Sequence, residues 1–337
     1  MSETILEVRN LVKHFHQRRR LLAPGDTNEV IPAVDDISFY LKERETLGLV
    51  GESGCGKTTA GKTILKLLPA TSGQILYRGE DITQLRSRQF RPYRSHMQMI
   101  FQDLDAALNP KMRIRDVLRE AVKVHNPGMD RAMVMTRVGE LLELVNLKQS
   151  KLSQFPVELS GGEKRRVGIA RTLAVDPKLI IADEPTSALD VSIQAQVVNL
   201  MRDLQNRLGL SYLFISHDLQ LVELMSHKVA VMYLGQIVEM GVTQQIARAP
   251  RHPYTRVLWS SLVNKRSVET STAITDGDSW GVYDFERPTA GCRFASRCPV
   301  FVARGKPEAC TNPATPPQLN DVAQGHQVRC HFPLKAV

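Results

Sequence analysis

The chain has 337 residues, enough for one large core or two smaller ones, and its 42% hydrophobic and 23% charged residues match a soluble globular protein. Its apolar runs, such as 179–182 and 229–235, are strand-sized and exclude a membrane helix, which needs ~20 residues. The net charge of +9 suits nucleic acid, an anionic membrane surface or phosphate ligands, and the basic clusters at 18–20, 86–94 and 164–166 are read as solvated faces and phosphate-adjacent residues.

Residues 3–10 alternate apolar with polar and predict a strand, and 34–50 predicts strand structure ending in the apolar run LGLV. Between them the Pro- and Gly-punctuated stretch 18–32 predicts a loop. After a glycine-rich loop, TTAGKTILKLL predicts a helix stopped by Pro69, and TSGQILYRG a turn into a strand. Apolar spacing of three and four predicts helices over 113–149. LAVDPKLIIADEP (173–185) and LSYLFISHD (210–218) carry buried strand patterns, each preceded by a helix. Strands alternating with helices imply an α/β fold with a parallel sheet. From about 263 the composition turns polar, so 264–290 reads as a linker and 291–337 as a small tail domain. A segment of that size with few apolar side chains rarely folds without a disulfide or a metal.

GESGCGKTT (51–59) satisfies G-x-x-x-x-G-K-[ST] between a predicted strand and helix, the context a phosphate-binding loop requires. Glycines there let backbone N–H groups turn inward round a phosphate, and the helix N-terminus adds partial positive charge. Gly51, Ser53, Gly54, Cys55, Gly56, Lys57, Thr58 and Thr59 are the candidate nucleotide contacts. Lys57 can reach the β- and γ-phosphates, and the Thr58 hydroxyl can complete a Mg²⁺ shell. LIIADEP (179–185) ends a strand in Asp183, a carboxylate for the Mg²⁺ site. Glu184 follows as a candidate general base, a role typically worth ~10²–10⁴ in rate. His217 lies at another strand end.

LSGGEKRR (159–166) places Ser-Gly-Gly before a helix and upstream of the acidic strand. With it, the chain from Leu6 to about Gly241 resembles the nucleotide-binding subunits of ABC (ATP-binding cassette) ATPases. The order agrees throughout: phosphate loop at 51–58, Gln102 in MIFQD, signature at 159–163, acidic strand at 179–184, SALD loop at 187–190, and His217 as the switch residue. The resemblance implies a nucleotide-binding domain over 1–250, with a RecA-like parallel sheet core, an antiparallel β subdomain and a helical subdomain at about 95–156. It implies that ATP and Mg²⁺ are the ligands. Phe15 would stack on adenine, and Gln102 would contact Mg²⁺ or water and relay to the helical subdomain. Ser160, Gly161 and Gly162 would face the γ-phosphate bound to an opposite cassette, with Asp190 at the dimer interface. A second ATPase subunit, expected to be a non-identical paralogue, is therefore an implied partner. Glu163 stands where the family commonly has Gln.

FQDLDAALNP (101–110) resembles the FQDP-x-x-SLNP stretch of dipeptide/oligopeptide-type importer ATPases, with Leu104 and Ala107 as departures. PRHPYTRVL (250–258) resembles their His-Pro-Tyr segment, which together with the linker occupies 251–290. That closer likeness implies two transmembrane permease subunits, an extracytoplasmic solute-binding protein reached through the complex, a place on the cytoplasmic face of the plasma (inner) membrane, and no nucleic acid.

Four of the five cysteines, Cys292, Cys298, Cys310 and Cys330, fall in the tail with the spacing C-x₅-C-x₁₁-C-x₁₉-C. MSETILEVRN has no apolar secretory segment, so a reducing cytoplasm is expected, where clustered cysteines favour metal over a disulfide. The spacing lacks the C-x₂-C pairs usual in zinc ribbons, and four thiolates suit a [4Fe–4S] cluster, with zinc, or unligated thiols or disulfides, as alternatives. The importer resemblance implies that cluster on these four residues. Two other functions stay open at this stage. One is a soluble ABC ATPase acting on nucleic acid or the ribosome, which the charge allows and the single cassette opposes. The other is a tail that senses redox state or iron and regulates the cassette.

Overall fold

Two sheets organise the chain, which a computed structural model describes over residues 3–16, 30–103, 108–266 and 291–335. The basic cluster at 18–20, the departures Leu104 and Ala107, and most of the expected linker (267–290) lie outside the described residues. The strands are β1 (Thr4–His16), β2 (Val30–Lys42), β3 (Thr46–Val50), β4 (Ser72–Tyr77), β5 (Glu80–Asp81), β6 (Met97–Ile100), β7 (Leu179–Asp183), β8 (Ser211–Ser216), β9 (Lys228–Tyr233), β10 (Gln236–Val242), β11 (Leu319–Ala323) and β12 (His326–Arg329). The helices are α1 (Lys57–Ile64), α2 (Ser87–Phe90), α3 (Tyr93–His96), α4 (Ile114–His125), α5 (Arg131–Leu144), α6 (Gly161–Leu173), α7 (Val191–Leu208), α8 (Leu219–Met225), α9 (Thr243–Arg248), α10 (Pro253–Arg266) and α11 (Pro299–Ala303).

The larger sheet has the order β11-β12-β10-β9-β3-β8-β7-β6, and its segment from β9 to β6 is parallel. β3, β7 and β8 are buried along their whole length, as strands covered on both faces must be. Successive side chains of β7 enter opposite cores: Ile180 and Ala182 pack with the helical side, Leu179 and Ile181 with α1 and the small sheet. The smaller sheet, β2-β1-β4-β5, is antiparallel. The expected parallel core, antiparallel β part and helical part are thus all present.

α4 buries Ile114, Val117, Leu118 and Val122, and α5 buries Val134, Val138, Leu141 and Leu142. That three-and-four spacing is the stripe read from the sequence, interrupted where Asp130 caps α5 by accepting the Met133 N–H at 2.8 Å. α1 ends at Ile64, before Pro69, because Lys66 turns left-handed (φ 54) and Leu67 N–H bonds back to the Lys62 carbonyl at 2.9 Å.

The tail differs most from expectation. β12 pairs antiparallel with β10 through Glu239↔Val328 and Met240↔Gln327, and β11 pairs with β12, so the tail extends the main sheet. Phe294, only 2% exposed, belongs to the main core and sits against Tyr233 and Tyr254. The tail borrows a core from the body, which removes the argument that it needs a staple of its own.

Candidate functional site

The C-terminal ends of β3, β7 and β8 lie side by side, where a parallel sheet collects its ligand-binding loops. From β3 the chain enters the glycine loop and then α1. A Cβ on Gly51 (φ +153) would lie 2.1 Å from the Met232 carbonyl oxygen, and one on Gly56 (φ +108) 2.0 Å from that of Ala33, so neither position admits a side chain. At Gly54 (φ +80) nothing stands within 4 Å of such an atom, and this part of the loop faces open space. Ser53 beside it is exposed, whereas Cys55 is buried, and burial pushes its thiol up. Lys57 is 6% exposed and its ammonium donates to the Gly51 carbonyl at 2.7 Å and the Glu52 carbonyl at 2.9 Å. Thr59, within α1, accepts the Thr63 hydroxyl proton on its carbonyl at 2.7 Å.

The Thr58 hydroxyl donates to Asp183 Oδ1 at 2.8 Å. Burial raises the Asp183 carboxyl above its ordinary pKa, opposed by the Thr58 bond and reinforced by the charge of Glu184. Glu184 follows in a left-handed conformation (φ 49), fixed by its N–H on the Ile215 carbonyl at 2.9 Å. Both of its carboxylate oxygens lie 2.8 and 2.7 Å from Nδ1 of His217, whose ring is largely exposed. Thr58, Asp183, Glu184 and His217 therefore form one connected set across β7, β8 and the head of α1.

The other candidates occupy neighbouring elements. Gln102 follows β6 with an exposed side chain. Phe15 is 39% exposed, with the Lys13 ammonium 4.9 Å from its ring centroid. Ser160 caps α6, and Gly161 and Gly162 open that helix; a Cβ on Gly162 would lie 2.8 Å from Ile193 Cγ2, so the two helices approach closely here. Asp190 caps α7 by accepting the Ile193 N–H at 2.9 Å. Among the described residues, Phe15, Ser160, Gly161, Gly162 and Asp190 make no hydrogen bond to the Thr58–His217 set.

Residues 34–187 match the family described as ABC transporter, and residues 238–304 match the oligopeptide/dipeptide transporter C-terminal region. The oligopeptide transport ATP-binding protein AppF of Bacillus subtilis is 45% identical over 98% of this chain and 98% of its own length. The chain belongs to the ATP-binding subunits of oligopeptide/dipeptide-type ABC transporters. The OppF protein of the same organism is 48% identical over 78% of this chain and 83% of its own. Among solved structures, CbiO1 of Clostridium perfringens, part of an ABC transporter complex, has a TM-score of 0.63 at 26% identity, covering 78% of this chain and 96% of its own. This subunit is accordingly an ATP-binding ABC ATPase. No described helix is long and apolar enough to cross a membrane.

The iron–sulfur expectation is overturned. Cys292, Cys298, Cys310 and Cys330 are free thiols lining one cavity of about 10 Å³, roughly the room of a single water. Its other walls include Phe294, Val300, Phe301 and Phe332. Burial pushes the Cys292 thiol up to about 11 and the Cys330 thiol up to about 12, and raises Cys310 as well. Among the described residues, no group of three or more His, Cys, Asp or Glu side chains is placed to hold a metal ion. The [4Fe–4S] cluster is withdrawn, and these cysteines are read as apolar packing between the tail and the body.

This ABC subunit also holds residues that the sequence reading missed. Arg165, inside a cluster read as a solvated face, is 5% exposed. It donates to the carbonyls of Phe101 (3.1 Å), Gln102 (3.3 Å) and Ser187 (3.2 Å), tying α6 to the Gln102 loop and the SALD loop. Tyr254 of the His-Pro-Tyr segment accepts the Glu52 N–H on its hydroxyl at 3.1 Å, so that segment touches the phosphate loop. The only sequence signals were an arginine within a basic run and a tyrosine after a proline.

Proposed function

We propose that this chain is the ATP-hydrolysing subunit that powers import of peptides or a related small solute. The observation that carries the reading is the connected Thr58–Asp183–Glu184–His217 set beside the phosphate loop. The names of the relatives, which specify oligopeptide transport, and the match to the oligopeptide/dipeptide C-terminal region support the substrate class.

In this reading residues 1–250 form the nucleotide-binding domain with its helical part at 95–156, the His-Pro-Tyr segment and linker occupy 251–290, and 291–337 form the C-terminal segment. The N–H groups of residues 51–59 and the Lys57 ammonium cradle the phosphates, and Phe15 stacks on adenine. Glu184 accepts a proton from water as its oxygen attacks the γ-phosphorus and the bond to the β–γ bridging oxygen breaks; His217 orients the carboxylate. Thr58, Asp183 and Gln102 are hard oxygen donors that fit Mg²⁺, and a buried carboxylate with a raised pKa gains from a divalent cation. When bound, that ion neutralises charge on the phosphates. Ser160, Gly161 and Gly162 face the nucleotide of a second cassette, a non-identical paralogue, with Asp190 at the seam. Two permease subunits and a solute-binding protein complete the complex, and this chain lies peripherally on the cytoplasmic face.

The decisive experiment is Glu184→Gln in the purified complex. Hydrolysis should fall ~10²-fold or more with ATP binding retained; near-wild-type turnover sinks the assignment. Subunits and solute recovered with the complex test the partners and the substrate class.

A further inference from the structure

We propose that Arg297 is a positioning residue for the phosphate loop, acting through Glu52. The proposal rests on the reading of residues 51–58 as the loop that takes the phosphates of ATP.

All three functional groups of Glu52 are fixed. Its N–H donates to the Tyr254 hydroxyl at 3.1 Å, and its carbonyl accepts from Lys57 Nζ at 2.9 Å. Its carboxylate takes both arms of the Arg297 guanidinium, each at 2.9 Å. Lys57 lies in the adjoining α1, but the other two anchors come from far along the chain, Tyr254 from α10 and Arg297 from the tail. A forked arginine–carboxylate pair fixes orientation as well as distance, and a lysine cannot reproduce it.

Arg297 is itself held. Its guanidinium carbon lies 5.8 Å from the Tyr233 ring centroid and 6.0 Å from that of Phe294, and it bonds to the Tyr233 hydroxyl at 3.4 Å. The Tyr233, Tyr254 and Phe294 rings pack on one another with centroids 4.6 to 5.4 Å apart. The pair is partly screened from water, with side chains 23% and 33% exposed. Four residues earlier, Arg293 bonds to the Leu234 carbonyl and to Asp35. Leu234 and Gly235 form the tight turn between β9 and β10, both with positive φ, and the Gly235 N–H donates to the Cys55 carbonyl at 2.8 Å. The tail thus grips the loop twice, directly at Glu52 and through the turn at Cys55. The loop that must present its N–H groups to ATP keeps its shape partly because the tail is docked.

The test is a double-mutant cycle on the full chain with Arg297→Met, Glu52→Gln and the pair, reading KM for ATP, kcat and the melting temperature. Arg297→Met should raise KM about tenfold, the factor a partly buried charge-assisted bond supplies, with kcat changed by less than about twofold. In the Glu52→Gln background the same substitution should change KM by less than about twofold, because the amide has already lost the charge and the second acceptor of the two-armed pair. Arg297→Lys should fall between wild type and Arg297→Met. An unchanged KM for Arg297→Met overturns the proposal. So does an equal rise in both backgrounds, or a rise that only follows a lowered melting temperature. Lys57→Ala separates the underlying reading: if it binds ATP like wild type, the phosphate-loop assignment fails, and the proposal fails with it.

Discussion

Glu163 shows how a single residue can depart from a family pattern without losing its local role. Its carboxylate accepts the Ser160 N–H at 3.0 Å and the Ser160 hydroxyl at 3.1 Å, closing a capping box at the start of α6. The Lys151 ammonium at 2.8 Å is the largest influence holding its pKa down. Gln has the same reach for the cap and loses only an ion pair whose side chains are 23% and 27% exposed, so Glu163→Gln should shift unfolding free energy by less than ~1 kcal/mol. Glu163→Ala also removes the acceptor for the Ser160 N–H, the reciprocal half of the capping box, and should cost ~1 kcal/mol. Urea midpoints decide this, and equal losses in the two variants contradict the capping account. At this scale the sequence made Thr58, Asp183, Glu184 and His217 legible because each sits at a fixed place after a strand or a glycine turn. Arg165 and Tyr254 were not legible, because their partners lie 22 to 64 and 202 positions away and no local pattern encodes such a meeting.

Among the elements, those with strong periodicity were readable. The buried runs of β7 and β8 and the stripes of α4 and α5 carry their own signal. β11 and β12 are five and four residues long, with polar residues along β11, and their strand character comes from the β10 edge they complete. A reading that saw a small, thiol-rich, apolar-poor tail had reason to look for a metal; the missing core lay on another part of the chain. If tail and body share one core, damage to the tail must be felt by the whole. Phe294→Ala should leave a cavity beside Tyr233, Tyr254 and His252 and lower the global unfolding free energy by ~3–5 kcal/mol. A protein whose tail becomes protease-sensitive while its global transition stays put would show that the two parts fold separately.

For the molecule as a whole, that seam also sets how stability responds to pH. His252 lies where β10, α10 and the tail meet, 1% exposed. Its backbone N–H donates to Glu239 Oε2 at 2.9 Å, its ring Nδ1 accepts the Tyr254 backbone N–H at 3.0 Å, and its ring packs on Phe294. Burial lowers its pKa from 6.5 to about 4, with Glu239 and the Arg329 backbone pulling the other way. Above pH 6.5 the imidazole is neutral folded and unfolded, and it contributes no pH dependence. As pH falls from 6.5 towards about 4, the unfolded chain takes up a proton that the folded chain refuses, so stability drops by up to ~1.4 kcal/mol per unit, ~3 kcal/mol in all. Carboxylates titrate at the lower end of this window too, so the measurement is a comparison with His252→Asn, whose side-chain oxygen can still accept the Tyr254 N–H. The difference in unfolding free energy between the two proteins should be flat above pH 6.5 and shift in favour of the Asn protein between 6.5 and 4. Parallel pH profiles across that window would mean that His252 gains its proton as easily in the fold as outside it, and that the seam between tail and body admits water.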